Sequence, residues 1–441
     1  MTRVIHTGDT HVGYRQYHSP ERRQDFLDAF EAVIDDAVDG DVDDEGSKTP
    51  RADGAAVDSE GSKTPRANGE AVDAVVHAGD LFHDRRPDLS DLLGVLSALR
   101  RLDAADVPFL AVVGNHEATR GSQWLDLFEN LGLAIRLDAE PTVVGDTAFY
   151  GLDHVPRSRR DDLDYDFASP PADADATALV AHGLFTPFPH ADWDTEALLD
   201  AATVDFDAVL LGDNHAADTA QVADTWVTYC GSTERASTDE RDARGYNLVE
   251  FGADAGGSAT VDIRRRSLDT RPFAFVDVEL AAGEGVERVR ERVREYDLSD
   301  AVAVVSITGD GDPVTPAAVE DAALEEGALL ARVTDHRAVG GETAEATPDV
   351  DFADPDAAVR ERVREMELSD LGRRLDETIR DDAVADSNVR DRVASAVGEA
   401  VAAGALDGSP ADGEAADSDA AAGEDDGIDD RRDQVSMEDF L

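Results

Sequence analysis

Val4-Ile5-His6-Thr7-Gly8-Asp9-Thr10-His11 sets a β-branched pair just before a glycine, a carboxylate and an imidazole. Val4-Ile5 reads as a short strand, and Gly8 lets the chain turn sharply at its end. The same pattern returns four times. Ala74-Val75-Val76 leads into Gly79-Asp80-Leu81-Phe82-His83, and Phe109 to Val113 leads into Gly114-Asn115-His116-Glu117. Ala178 to Ala181 leads into His182-Gly183, and Ala208 to Leu211 into Gly212-Asp213-Asn214-His215. Helical spacing lies between these runs. Pro20 to Val38 has Ser19 as N-cap and Phe26, Leu27, Phe30, Val33 and Ile34 on one face; Leu89 to Leu102 and Trp124 to Leu131 also read as helices. The alternation predicts an α/β layered domain. Each polar cluster falls past the carboxyl end of a strand, the edge where such sheets bind ligands.

Any one cluster is weak: a lone Gly-Asp is more often a turn, and a lone histidine more often a core or surface residue. Five in register on five strands are hard to produce by chance. Carboxylate, imidazole and one amide oxygen suit a pair of divalent ions such as manganese. Two such ions ~3.5–4 Å apart lower the pKa of a water toward ~7 and grip a phosphodiester.

The chain has 441 residues, room for two or three domains at ~150 residues each. Lys and Arg number 40 against 98 Asp and Glu, a net charge of −58. Such a charge argues against nucleic-acid binding, but only two of the basic residues are lysine, Lys48 and Lys63. An acidic, lysine-poor surface suits a cytoplasm of very high salt, where the Debye length falls to ~3 Å and repulsion from distant carboxylates is screened. No apolar run approaches the ~18 residues of a membrane span. The single cysteine, Cys230, excludes an intrachain disulfide. The expectation is a soluble cytoplasmic protein with no signal peptide.

Outward from the core, residues 39–70 interrupt the first helix and second strand. Glu45-Gly-Ser-Lys-Thr-Pro-Arg-Ala-Asp-Gly recurs from Glu60 with Asn for Asp, and the composition predicts a disordered surface insertion. The core is expected to span 1–266. A smaller unit, 272–345, alternates strands (273–278, 302–307, 329–333) with helices (286–296, 316–323). Residues 356–402 form a helical region whose stripe of Val359, Val363, Met366, Leu368, Leu371, Leu375 and Ile379 needs a cover. Its near-repeat of Val289 to Asp300 at Val359 to Asp370 reads as convergence of two amphipathic helices. Its place after a flexible connection suits docking into a partner's groove. Residues 403–433 read as an acidic tether.

The runs Asp9-Thr-His-Val-Gly-Tyr-Arg-Gln-Tyr and Gly79-Asp-Leu-Phe-His83 resemble the SbcD-like nuclease subunits of the DNA double-strand-break repair complex, in their haloarchaeal form, within the calcineurin-like metallophosphoesterases. The likeness spans about Met1 to Arg266. It implies a core of two packed mixed sheets flanked by helices, and it makes the unit after Pro272 a match, by position and pattern, to a DNA-capping domain. It further implies two manganese ions. Asp9, His11 and His215 would hold one, Asn115, His182 and Asp213 the other, with Asp80 bridging. His116 would be the general acid at the leaving 3′ oxygen, and His83 would lie near the scissile strand. The family's last cluster is usually Gly-His-x-His; here Asp213 replaces the first histidine, which hardens that ligand set. An SbcC-like coiled-coil ABC-type ATPase on residues 356–402 and a homodimer through the first helices also follow from the resemblance. Arg85 and Arg86, with Arg157, Arg159 and Arg160, are candidate phosphate contacts. The end of the chain, Gln434, Met437, Phe440 and Leu441, resembles a peptide that binds the DNA sliding clamp, although Leu441 stands where a second aromatic is usual.

The leading expectation is therefore a manganese-dependent DNA exo/endonuclease. A phosphoesterase for small phosphodiesters has no use for a cap and tether. A mainly structural subunit that bridges DNA ends finds support only in Asp213.

Overall fold

The computed structural model describes residues 1–40, 71–119, 121–254 and 256–337. Three short segments set its outline. Thr2–Thr7 (β1) is buried throughout. Ser19 then caps Pro20–Asp39 (α1), its side chain accepting from the Arg22 amide at 3.1 Å, and Gly40 closes the helix in the left-handed region. Ala74–His77 (β2) follows, then Leu89–Ala104 (α2), Phe109–Ala111 (β3), Trp124–Asn130 (α3) and Ile135–Arg136 (β4). The next strands and helix are Thr142–Val144 (β5), Thr147–Leu152 (β6), Ala176–His182 (β7), Thr195–Ala201 (α4) and Ala208–Gly212 (β8). Asp218–Val222 (β9), Thr225–Tyr229 (β10), Gly245–Ala253 (β11) and Ala259–Ser267 (β12) complete the larger part. Phe273–Leu280 (β13), Val286–Val293 (α5), Val302–Gly309 (β14), Pro316–Glu325 (α6) and Leu330–Asp335 (β15) form the rest.

Two mixed six-stranded sheets stack, in the orders β12-β11-β1-β2-β3-β4 and β5-β6-β7-β8-β10-β9. The alternation of apolar residues puts Val4, Val76, Leu110, Phe149, Val180, Leu210, Val249 and Phe251 in one buried seam between them. Helices α1 and α2 cover the outer face of the first sheet through Phe30, Val33, Ile34, Val95 and Leu99. The aromatic residues Tyr150, Phe167, Phe185, Trp193 and Phe206 cover the outer face of the second. The third sheet, β13-β14-β15, is parallel. Val276, Val278, Val305 and Ile307 on one of its faces meet Val289, Val293 and Val319 of its helices. The opposite face presents Phe273, Phe275 and Asp277.

The layered α/β class expected from the sequence is the class found. Boundaries differ: the third strand stops at Ala111 rather than Val113, although Val112 N still donates to His77 O at 3.2 Å, and α5 stops at Val293 rather than Tyr296. Strands β4 to β6, β9 to β12 and helix α4 were not anticipated. Residues 41–70 of the insertion, the helical region 356–402, the tether and the terminal peptide lie outside the described residues. Among the described residues, no helix is long and apolar enough to cross a membrane.

Candidate metal centre

Parallel pairing aligns the strand ends. In β1 and β2, His6 pairs with Val76 and Thr7 with His77, so the loops beyond them run side by side. Asp9 N donates to Gly79 O at 3.0 Å and His11 N to Asp80 O at 3.0 Å. In the second sheet His182 pairs with Gly212. The glycines permit this closeness: a Cβ on Gly114 would sit 2.0 Å from Asp80 Oδ1, and one on Gly79 would sit 2.5 Å from His182 Nδ1. The non-glycine residues Asp9, His11, Asp80 and Asp213 take positive φ, at 48°, 43°, 56° and 94°. Backbone of this kind costs ~1–3 kcal/mol per residue and gathers at functional sites.

The side chains converge. Ligand atoms of Asp9, His11 and His215 lie within 4.8 Å of one another, as do those of Asp9, Asp80 and His182. Asp80 Oδ2 stands 3.9 Å from His11 Nε2 and 3.6 Å from His182 Nε2, between the two sets. His182 Nε2 is also 2.8 Å from Asn115 Oδ1 and 3.7 Å from Asp213 Oδ1. All seven ligand candidates thus share one site, Asp213 among them.

Two tautomers are set from behind. His182 Nδ1–H donates to Ala78 O at 2.8 Å, and His215 Nδ1–H donates to Glu240 Oε1 at 2.8 Å, which turns each Nε2 toward the centre of the cluster. Burial pushes Asp9 up to about 6. Burial opposes a charge on His182, but Asp80, Asp213 and Asp9 prevail and hold it at about 9. The cluster thus draws positive charge to itself. Divalent cations meet that demand with these oxygen and imidazole donors.

The rim is made of His83 and His116. His116 N donates to Asp80 Oδ1 at 2.9 Å, and its Nδ1–H donates to the His83 carbonyl at 3.0 Å, so Nε2 is the free nitrogen. The His83 ring stacks on Tyr14, centroids 4.0 Å apart, and lies 5.0 Å from the His116 ring. Beside it opens a hollow of about 250 Å³ lined by Tyr14, Arg15, His83 and Arg86. Arg85 and Arg86 are exposed, and neither forms an ion pair among the described residues. Arg160 differs: it bonds Asp192 at 2.6 Å and lies over Trp193, so its charge is already engaged.

Two supporting residues escape a sequence reading. Glu117 is buried and accepts from Phe82 N and Gly114 N, both at 3.2 Å, clamping two ligand loops together. Its place in Gly114-Asn115-His116-Glu117 is the signal that could have found it. Glu240, behind His215, follows no strand and carries no such signal.

Residues 2–217 match the calcineurin-like phosphoesterase family. The chain is 66% identical over 393 residues to the DNA double-strand break repair protein Mre11 of Haloferax volcanii, covering 89% of this chain and 80% of that protein. It is 58% identical over 395 residues to the Mre11 of Halobacterium salinarum, covering 89% and 93%. The Mre11 of Methanosarcina acetivorans is 40% identical over 396 residues, covering 88% of this chain and 59% of that protein.

Proposed function

Because the chain belongs to the haloarchaeal Mre11 family of calcineurin-like phosphoesterases, and is thus a metal-dependent nuclease of DNA double-strand-break repair, we propose that it uses two manganese ions to cut broken DNA ends by exo- and endonuclease action. The observation that carries this is Asp80 Oδ2 standing between the His11 and His182 nitrogens, with a donor set on either side. Asp9, His11 and His215 would hold one cation and Asn115, His182 and Asp213 the other, with Asp80 placed to serve both. Bound there, such ions would supply Lewis acidity toward the phosphodiester and a more acidic water.

The chain's own residues do the rest. Asp213 N donates to both Asp9 oxygens at 3.0 Å, so the substitution of aspartate in the last cluster still orders its neighbour. His116, anchored through Nδ1, presents Nε2 to the leaving 3′ oxygen and, when protonated, donates to it. His83 and Tyr14 form a wall beside the scissile strand. Arg85 and Arg86 meet phosphates.

The remaining sequence readings complete the proposal. The third sheet caps the DNA, residues 356–402 dock on an SbcC-like coiled-coil ABC-type ATPase, and Gln434, Met437, Phe440 and Leu441 bind a sliding clamp in the cytoplasm. Leu89 and Leu93 of α2 and Leu127 and Leu131 around α3 are 43–70% exposed, apolar area that a homodimer through the first helices would take from water.

The test uses end-labelled duplex DNA in molar potassium chloride with manganese. His116→Ala should bind manganese as the unaltered protein does and cut about 10²- to 10⁴-fold more slowly. Equal cutting by the variant would remove His116 from the reaction. Faster turnover of a small chromogenic phosphodiester than of DNA would replace the substrate.

A further inference from the structure

Residues 234–244, between β10 and β11, touch two distant features. At the metal centre, Glu240 Oε1 accepts from His215 Nδ1 at 2.8 Å, and Oε2 accepts from Ala236 N at 2.8 Å. Arg244 Nη1 donates to the His215 carbonyl at 2.8 Å and reaches Glu240 Oε2 at 3.5 Å. At the third sheet, Arg241 makes two bonds to Asp277 of β13, at 3.0 and 2.8 Å, and lies over Phe275 at 4.8 Å. Arg235 lies over Phe273 at 5.3 Å and donates to the carbonyls of Glu240 and Asp242, both at 3.0 Å, which ties the segment to itself. The residue behind the imidazole and the residue gripping the third sheet are therefore neighbours in the chain, one peptide bond apart.

We propose that Glu240 is a positioning residue for His215, and that this segment couples the seating of the third sheet to cation affinity at the metal centre. The proposal rests on His215 being a cation ligand. Glu240 keeps the proton on Nδ1, aims Nε2 at Asp9 and makes it more basic. A shift of β13 drags Arg241, and the peptide it shares with Glu240 moves too. Binding free energies couple in both directions, so a cation on His215 also favours the seated sheet. Arg244 and Glu240 are nearly buried, which leaves the segment little room to absorb the displacement.

The experiment titrates manganese into the metal-stripped full chain in molar potassium chloride, reading the free ion by electron paramagnetic resonance, with folding checked by circular dichroism. Glu240→Ala should weaken manganese binding about 10- to 100-fold, and Glu240→Gln, which keeps an acceptor oxygen, should recover part of it. Asp277→Arg should weaken it about two- to fivefold, the worth of an exposed pair. The exchanged pair Arg241→Asp with Asp277→Arg should restore it. Asp277→Asn repeats the measurement with less disturbance. Unaltered affinity in Glu240→Ala overturns the positioning role. Unaltered affinity in both Asp277 variants, or no recovery in the exchanged pair, overturns the coupling. His215→Ala separates the cases: if it binds manganese like the parent chain, the ligand assignment has failed instead.

Discussion

The two interfaces within residues 1–337 are built from opposite chemistries. Between the two large sheets the contacts are Val4, Val76, Leu110, Phe149, Val180 and Phe251, with Phe149 and Phe251 ring to ring at 5.7 Å. Under the third sheet the contacts are guanidinium groups on rings and carboxylates. Arg22 lies over Phe273 at 5.0 Å, Arg332 over Tyr17 at 4.3 Å, and Arg271 bonds Asp25 at 2.6 and 2.9 Å. An apolar seam gains from area alone and holds two layers in one relation. A charged seat is directional; its exposed members, such as Arg332, are worth little each, and salt screens all but its closest contacts, while the nearly buried Arg271–Asp25 pair is the one costly to break. The large sheets carry ligands that must stay in register; the third sheet carries none of them.

The largest expected effect tests the seam. Phe149→Ala should cost about 3–5 kcal/mol, a buried aromatic lost with a cavity left behind, read by urea unfolding in molar salt. A cost under about 1 kcal/mol would mean the layers close over the void and the contrast with the seat is overstated.

Acid should act on the layers before the seat. Burial lowers His6 of β1 and His77 of β2 to about 3. The unfolded chain then binds more protons below its ordinary value near 6.5, so stability is full above that pH and falls as pH drops toward about 3. From pH 6.5 to 5 each of these two histidines should cost about 2 kcal/mol, and His77→Gln should remove that one share of the slope, while His11, His83 and His154, also lowered by burial, keep theirs. Asp277, held below the usual carboxylate range by Arg241, keeps its charge through this window. An unchanged slope in His77→Gln would show that other groups set the acid response.

The smallest effect belongs to the seat. Arg332→Ala should lower stability by only about 0.5–1 kcal/mol, the worth of an exposed cation over a ring. Unfolding of the third sheet ahead of the rest, followed by tyrosine fluorescence, would sharpen the contrast.

The metal ligands were legible because each is local. Asp9, Asp80, Asn115, His182 and His215 sit within a few residues of a glycine and a β-branched run, and a strand ends only one way. The seam was half legible for the same reason. Val4, Val76 and Leu110 announce buried strands, whereas Gly245–Ala253 carries two glycines and an asparagine that mimic loop. Pairing with β1 and β12, more than propensity, makes it a strand; Thr225–Tyr229 has the propensity but is too short to stand out. Glu240 lies 25 residues beyond His215, and only the turn that follows β10 brings the two together. The seat was illegible because arginine on an aromatic ring has no period along the chain.

The ligand loops issue from both large sheets, three from the first and two from the second. Whatever ions occupy the site therefore act as a clasp across the layers. Prising the sheets apart means surrendering ligands as well as apolar contact, and the free energy of holding the ions becomes resistance to opening. Starved of metal, such a chain should open more readily and be cut sooner by an added protease than the loaded one.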